Sequence, residues 1–321
     1  MRRRHLGRTD LEVTPWCLGC NVIGNTLDEA HSMAVLDAYV EAGGNFIDTA
    51  NIYGAGQSET IIGRWMKQRR NRDSLVLATK IGWPAKPPVT EEGLSERSIR
   101  NGLESSLRRL ETDHVDLYYA HCDDTAVPLE VSLRSFAALR SQGKIRWIAA
   151  SNYVPDRLND ALEASEDLGL NRFECLQAKY NLVDRADFEG GLAAVCATRN
   201  VAVTTYFSLA RGFLTGKYLR GAELPDSPRV GAVTANYFND ASFDTLDRVR
   251  TTATSIGATP AQVSLAWLLR KPEVASCVSA AMSPAQVTEL AGATQIHLSA
   301  DDDSFLSEDS NPQVQRTNTS G

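Results

Sequence analysis

The sequence predicts an α/β fold, namely a (β/α)8 TIM barrel with a short N-terminal β-hairpin and a long loop after strand 7. Strand-like runs alternate with helical patterns about eight times along the 321 residues, and eight such units close a parallel barrel. Several of these runs end in polar residues, as expected where a barrel carries its active site. An open doubly wound sheet is the alternative, but it normally shows a glycine-rich dinucleotide turn after an early strand, and this sequence has none.

The N-terminal elements have clear boundaries. Residues 2–5 and 11–13 flank the turn-rich segment 7–10, which favours a hairpin. Residues 16–20 follow as a first buried strand. The helix predicted over 28–42 has apolar residues at helical spacing, Asp28 as its N-cap, and a Gly-Gly pair at its end.

The alternation continues to residue 299, and we predict a single domain over residues 1–299. The connection over 208–241 is too long for a βα turn, so it is a functional cover or a disordered excursion. Residues 300–321 are acidic and polar, and we predict a flexible tail there. The remaining strands are predicted near 45–48, 75–79, 115–120, 145–149, 174–177, 201–205 and 276–279, and the helices near 58–67, 95–110, 128–141, 155–168, 189–199, 242–256, 260–270 and 283–292.

Composition excludes several classes of partner. The formal net charge of −7 argues against binding nucleic acid or an anionic membrane. No stretch approaches the length of a bilayer span, and the basic start lacks the apolar segment of a signal peptide, so we expect a cytoplasmic protein. Cys17 and Cys20 form a lone C-x-x-C pair without a second pair at zinc spacing, so no metal is predicted.

Four polar residues at consecutive strand ends predict acid–base chemistry. Asp48 ends one strand, Tyr53 follows it, and Lys80 and His121 end the next two. A phenol with a pKa of about 10 is a weak acid, but a neighbouring ammonium favours its ionised form and a carboxylate holds that ammonium. Each residue alone has a structural explanation, as a cap, a packed ring or a core histidine. Together they predict a general acid built around Tyr53.

Later strand ends predict a site for a flat ring with a carboxamide. Ser151 and Asn152 follow one strand, and Gln177 and Tyr206 close the next two. Amide side chains donate and accept hydrogen bonds at once, and a tyrosine ring stacks on flat groups. A nicotinamide is both a flat ring and a carboxamide.

Ordered motifs give the chain a resemblance to the aldo-keto reductases, from Leu6 to about Leu298. It is most similar to the branch containing bacterial reductases and potassium-channel β subunits. The motifs are GGNFIDTA at 43–50 with Tyr53, ATK at 78–80, GLESSLRRL at 102–110 leading to DLY at 116–118, GKIR at 143–146, SN at 151–152 and LARGFLTGKY at 209–218.

The resemblance implies a cofactor and a role for each site residue. Tyr53 would protonate a carbonyl oxygen, Lys80 and Asp48 would tune it, and His121 would orient the substrate. The implied cofactor is NADPH, with NADH not excluded, and Arg229 would meet its 2′-phosphate. The cofactor-binding residues implied are Gly19, Asn21, Asp48, Ser151, Asn152, Gln177, Tyr206, Phe207, Ser208, Leu209, Arg211, Gly212, Lys217, Arg229, Gln286 and Glu289.

Two stretches depart from the family pattern. Residues 207–209 read Phe-Ser-Leu where the family usually has Ser-Pro-Leu. Ala280, Met282 and Leu290 replace a glycine, a polar or basic residue and an asparagine. These losses near the adenosine weaken the case for NADPH and leave NADH open.

The predicted activity is reduction of a small-molecule aldehyde or ketone by NAD(P)H. The substrate pocket is predicted to include Val22, Trp83 and Tyr153, with a keto-sugar, a polyketide-like ketone or a simple aldehyde as substrate. The alternative is a cofactor-binding regulatory subunit similar to potassium-channel β subunits. A homo-oligomer is neither indicated nor excluded by the sequence.

Overall fold

A closed parallel barrel forms the centre of the computed structural model, which describes residues 1–84 and 92–308. An antiparallel hairpin of β1 (Arg4–His5) and β2 (Glu12–Val13) precedes it, as predicted. The barrel strands are β3 (Trp16–Gly19), β4 (Phe46–Asp48), β5 (Val76–Ile81), β6 (Val115–Ala120), β7 (Ile145–Ser151), β8 (Cys175–Lys179), β9 (Ala202–Tyr206) and β10 (Val274–Ser279). Neighbours pair in the order β10-β3-β4-β5-β6-β7-β8-β9, which confirms the predicted fold class.

Helices surround the barrel in the crossovers between successive strands. Their N-termini follow local capping rules: Asp28 accepts a hydrogen bond from the His31 amide, and Thr259 forms a capping box with Gln262. The helices are α1 (Glu29–Glu41), α2 (Gln57–Arg69), α3 (Glu96–Leu110), α4 (Leu129–Ser141), α5 (Pro155–Asp167), α6 (Ala193–Arg199), α7 (Val230–Tyr237), α8 (Asp240–Ile256), α9 (Pro260–Leu269), α10 (Pro284–Gly292) and α11 (Ala300–Ser307).

The barrel interior changes from apolar to polar along the strand direction. Alternate residues of a strand face inward, and on β5 these are Val76, Ala78 and Lys80. On β6, Leu117 and Tyr119 precede His121 in the same way. The hairpin contributes buried leucines to the apolar end, so the polar residues collect at the strands' carboxyl end.

Two predictions about irregular segments require correction. The connection over 208–241 is ordered, with a 3-10 segment at Ala210–Thr215 and then α7, so the alternative of a disordered excursion is wrong. The tail predicted to be flexible from residue 300 begins with α11, whose N-terminus has a capping box between Ser299 and Asp302. Leu306 of this helix is buried in the core, and Trp267 Nε1 donates a hydrogen bond to Ser307 Oγ at 2.9 Å.

The domain boundaries and the cellular location remain predictions. Residues 309–321 lie outside the described residues, and the single domain over 1–299 stays a prediction. No helix in the described ranges is long and apolar enough to span a bilayer, and the cytoplasmic location stays a prediction. Across 1–84 and 92–308 there is also no group of three His, Cys, Asp or Glu side chains arranged to hold a metal ion.

Candidate active site

A buried ion pair lies at the carboxyl end of the barrel. Lys80 Nζ donates to Asp48 Oδ2 at 2.6 Å and to the Thr49 carbonyl oxygen at 2.8 Å. The Lys80 side chain is 0% exposed and that of Asp48 is 2% exposed. A buried charge without its partner is costly, so each of these residues depends on the other. They lie on β5 and β4, neighbouring strands whose inward faces bring the two side chains together.

Tyr53 completes the predicted acid device. Its hydroxyl lies 3.4 Å from Lys80 Nζ. The tyrosine begins a tight 3-10 turn, Tyr53–Gly56, in which Gly54 has φ 55°. A side chain at Gly54 would come within 2.8 Å of the Gly24 carbonyl oxygen, so this position requires glycine. The turn therefore holds Tyr53 over the ion pair.

Burial sets the protonation state of the cluster. It raises the pKa of Tyr53 above 10, and the neighbouring Lys80 opposes this rise without cancelling it. The ammonium thus favours the ionised phenol as expected, but burial has the larger effect on the pKa, so the phenol keeps its proton at neutral pH. Burial disfavours the charge of Lys80, but Asp48 and Tyr53 together raise the Lys80 pKa above its ordinary value. The cluster thus combines a neutral acid with a permanent cation.

His121 forms the adjoining wall of the site. Its ring centroid lies 6.0 Å from that of Tyr53 and 5.2 Å from that of Trp83. Burial, and then the charge of Lys80, hold the His121 pKa well below 6.5. The imidazole is therefore neutral at pH 7 and carries one N–H donor. Its buried Nδ1 has no hydrogen-bond partner within the described part of the chain.

This lowered His121 pKa predicts a pH-dependent stability. In the unfolded chain the His121 imidazole binds a proton near pH 6.5, whereas in the folded protein it stays neutral to a lower pH. The stabilisation is therefore complete above about pH 6.5 and is lost as the pH falls towards the folded pKa, by at most about 1.4 kcal/mol per pH unit. Urea unfolding between pH 5 and 7.5 should show a steeper loss for wild type than for His121→Gln. Parallel curves for the two proteins would contradict this assignment.

Amide and hydroxyl groups continue the site beyond Asp48. Gln177 Nε2 donates to Asp48 Oδ1 at 2.9 Å, and Ser151 Oγ donates to the Gln177 carbonyl oxygen at 3.0 Å. Asn152 accepts a hydrogen bond from the Tyr206 hydroxyl at 2.7 Å. The structure therefore brings the predicted carboxamide and ring-stacking residues together beside the acid cluster.

A cavity of about 1050 Å³ extends from this cluster along the segment after β9. Three cations line its far part, namely Arg211, Lys217 and Arg229. None has a carboxylate within 4 Å in the described ranges. Burial lowers the pKa of Lys217 and Arg229, and like charge adds to this: Arg229 acts on Lys217, and Arg211 acts on Arg229. Asp226 and Glu289 also line the cavity, but three cations outside close ion pairs still fit an anionic group such as a diphosphate or a 2′-phosphate.

The predicted site residues can now be placed. All sixteen predicted cofactor residues line this cavity, as do Val22, Trp83, Tyr53 and His121, while Lys80 lies buried beneath it. The pocket assignment of Tyr153 is wrong, because the ring is buried against Phe173 with a centroid separation of 5.5 Å and does not line the cavity. Lining the cavity does not by itself show what a residue binds or catalyses, so the catalytic and binding roles stay predictions.

The cavity also has walls that sequence reasoning missed. Ile52, Asn25 and Thr26 line it near Tyr53, and Lys179 lines it near Tyr206. Lys179 had a usable signal, because it stands two positions after Gln177 and so shares its inward face. The asparagine and threonine lie in a loop that no strand pattern marks.

This fold and site define a (β/α)8 barrel with an acid–base cluster beside a cavity lined by several cations. A model of the Aldo/keto reductase family matches residues 15–307. The chain belongs to this family of oxidoreductases, which confirms the resemblance seen in the sequence.

Individual relatives resemble the chain along almost its whole length. It is 33% identical over 298 residues to a probable voltage-gated potassium channel subunit beta of Oryza sativa subsp. japonica, with 90% of each chain covered. A protein of the same description from Arabidopsis thaliana is 30% identical over 298 residues, again covering 90% of each. An uncharacterised oxidoreductase of Bacillus subtilis is 32% identical over 309 residues, covering 93% of this chain and 92% of the relative.

Proposed function

We propose that this protein is an NAD(P)H-dependent carbonyl reductase that converts a small aldehyde or ketone to an alcohol. The observation that carries the proposal is the cluster of Tyr53, Lys80, Asp48 and His121 at the inner end of the cavity. It joins a protonated acid, a cation that stabilises its conjugate base, and a neutral imidazole. Carbonyl reduction needs these groups around the oxygen that gains a proton.

Each residue has a defined part in the proposed reaction. Tyr206 would pack against the ring of a bound nicotinamide, which would supply the hydride. Tyr53 donates its hydroxyl proton to the carbonyl oxygen, and the resulting phenolate is stabilised by Lys80, which Asp48 holds in place. His121, being neutral, donates one N–H to the same oxygen and orients the substrate.

The proposed cofactor is NADPH, and the cations of the cavity support it. Arg229 is half-buried, and its pKa is lowered by burial and by Arg211, so an anion beside it would relieve both effects. Ala280, Met282 and Leu290 also line this end of the cavity and bring no charge. NADH is the competitor.

Replacing Arg229 tests the cofactor assignment. Arg229→Gln should weaken NADPH binding about 10- to 100-fold, since a charge-assisted hydrogen bond contributes roughly 1.5–3 kcal/mol, and should change NADH binding much less. Fluorescence titration of both cofactors measures this. Arg220→Gln is the matched control, because Arg220 pairs with Asp244 at 2.8 Å on the surface. Equal losses for both cofactors would contradict contact with a 2′-phosphate.

The activity itself is tested on the wild-type protein. Oxidation of NADPH and NADH should be followed at 340 nm with a panel of reactive aldehydes, ketones and keto-sugars. Turnover of at least one carbonyl is expected. Cofactor binding without turnover on any of them would contradict the reductase proposal.

That outcome would favour a second function, a cofactor-binding regulatory subunit. Its support is the description of the rice and Arabidopsis relatives as probable potassium-channel β subunits. A regulatory subunit need not preserve the acid cluster, whereas this chain retains all four groups close together. We therefore place catalysis first.

A further inference from the structure

The side chain of Asn152 connects two walls of the active site. Its Nδ2 donates to the His121 carbonyl oxygen at 2.8 Å and to Ser151 Oγ at 3.1 Å. Its Oδ1 accepts from the Tyr206 hydroxyl at 2.7 Å. The residue has φ 57°, a left-handed conformation that asparagine adopts more readily than most other side chains. Asparagine therefore fits this backbone position at a lower conformational cost than most other residues.

These bonds leave little of Asn152 for a ligand. A primary amide has two N–H donors and two acceptor lone pairs. Both donors are used within the protein, and one lone pair accepts from Tyr206. Asn152 has no donor left for the oxygen of a carboxamide, although Oδ1 can still accept one hydrogen bond. Its principal contacts are therefore with the protein.

Tyr206 and His121, which Asn152 joins, both line the cavity. The Tyr206 ring lines the cavity, and its hydroxyl makes this one hydrogen bond within residues 1–84 and 92–308. The His121 main chain is held on its other side by its own amide, which donates to the Ile81 carbonyl oxygen at 2.7 Å. Losing the Asn152 contacts would free the ring and one side of the histidine together.

We propose that Asn152 is a positioning residue, which fixes the tilt of the Tyr206 ring relative to His121 and thereby the nicotinamide relative to the carbonyl. The inference rests on the proposed function, since it assumes that a nicotinamide packs on Tyr206. Small displacements of reacting groups cost much rate. Ring position should therefore affect hydride transfer more than cofactor affinity.

A double-mutant cycle tests this link. Tyr206→Phe keeps the ring and removes only its hydroxyl, and Asn152→Gly removes the amide at a φ that glycine accepts without strain. Single-turnover oxidation of bound NADPH by a reactive aldehyde gives the rate of hydride transfer. Tyr206→Phe should slow it about 3- to 10-fold while changing NADPH affinity less than about twofold. The double variant should be no slower than Asn152→Gly alone, because the shared bond is already lost.

A second measurement separates this proposal from the reductase activity. The fluorescence anisotropy of bound NADPH reports nicotinamide mobility without any turnover, and it should fall in both single variants and no further in the double. Failure of the wild type to reduce any carbonyl would refute the reductase proposal and leave this measurement intact. Tyr180→Phe is the control, because it also removes a hydrogen-bonded tyrosine hydroxyl, one that donates to Glu189 at 2.6 Å instead of to Asn152. Its NADPH anisotropy should match that of wild type.

Three results would overturn the positioning role. The first is that the effects of the two substitutions on the rate of hydride transfer multiply in the double variant. The second is that Tyr206→Phe has the same rate of hydride transfer and the same NADPH anisotropy as wild type. The third is markedly tighter NADPH binding by Tyr206→Phe, which would mean that the hydroxyl competes with the cofactor for Asn152.

Discussion

Tyr53→Phe is expected to lower kcat/KM for carbonyl reduction by roughly 10² to 10⁴, the usual contribution of a positioned general acid. The substitution removes a single oxygen atom, which lies 3.4 Å from Lys80 Nζ. Burial raises the pKa of this phenol, so wild type should keep its acid protonated, and the rate of reduction should not fall as the pH rises through neutrality. Steady-state kinetics from pH 6 to 9 with a reactive aldehyde measure both effects.

The variant should otherwise resemble wild type. The Tyr53 ring remains, so NADPH affinity and the urea midpoint should change little. If Tyr53→Phe binds NADPH normally but has lost turnover, the hydroxyl takes part in the chemical step. Equal turnover in the two proteins would refute the acid role of Tyr53, and a parallel loss of cofactor binding would show that the residue supports the cavity instead.

Lys80→Met is expected to have the largest effect on stability. It leaves the Asp48 carboxylate buried with Gln177 as its remaining side-chain donor. Breaking a buried pair by removing one partner typically costs about 3–5 kcal/mol, and urea unfolding at pH 7 should show a loss of that size. Turnover should fall as well, because the cation that stabilises the Tyr53 phenolate is gone.

A paired variant separates these two losses. In Lys80→Met with Asp48→Leu neither charge of this pair is left without its partner, and replacing buried ion pairs by apolar side chains is often neutral or stabilising. Stability should return towards that of wild type while activity stays low. Recovery of activity with stability would show that Lys80 serves the fold alone. Equal stability of the single variant and wild type would contradict the buried pair.

The strand-end residues were predictable because two regularities coincide. Inward-facing positions recur every second residue, and all strands of a parallel barrel end on the same side. Asp48, Lys80 and His121 follow from these rules, and Tyr53 follows from its place just after β4. The all-parallel alternation of strands and helices also fixed the fold class, and the family motifs pointed to the cofactor residues.

The wrong predictions concern residues beyond regular strands. Tyr153 follows β7 by two positions, where alternation no longer holds, and its ring turned into the core against Phe173. The acidic residues after Ala300 suggested a flexible end, but Ser299 caps them into a helix that Leu306 anchors. Lys179 was missed although its spacing from Gln177 was informative.

The sequence by itself determined which chemical groups gather at one end of the barrel, because strand periodicity and strand direction are local properties of the chain. Only the tertiary structure decided their state. Burial raises the pKa of Tyr53 and lowers that of His121, and hydrogen-bond geometry ties Asn152 to three protein partners. Desolvation and hydrogen-bond geometry depend on atoms from several distant segments, so no local pattern contains them.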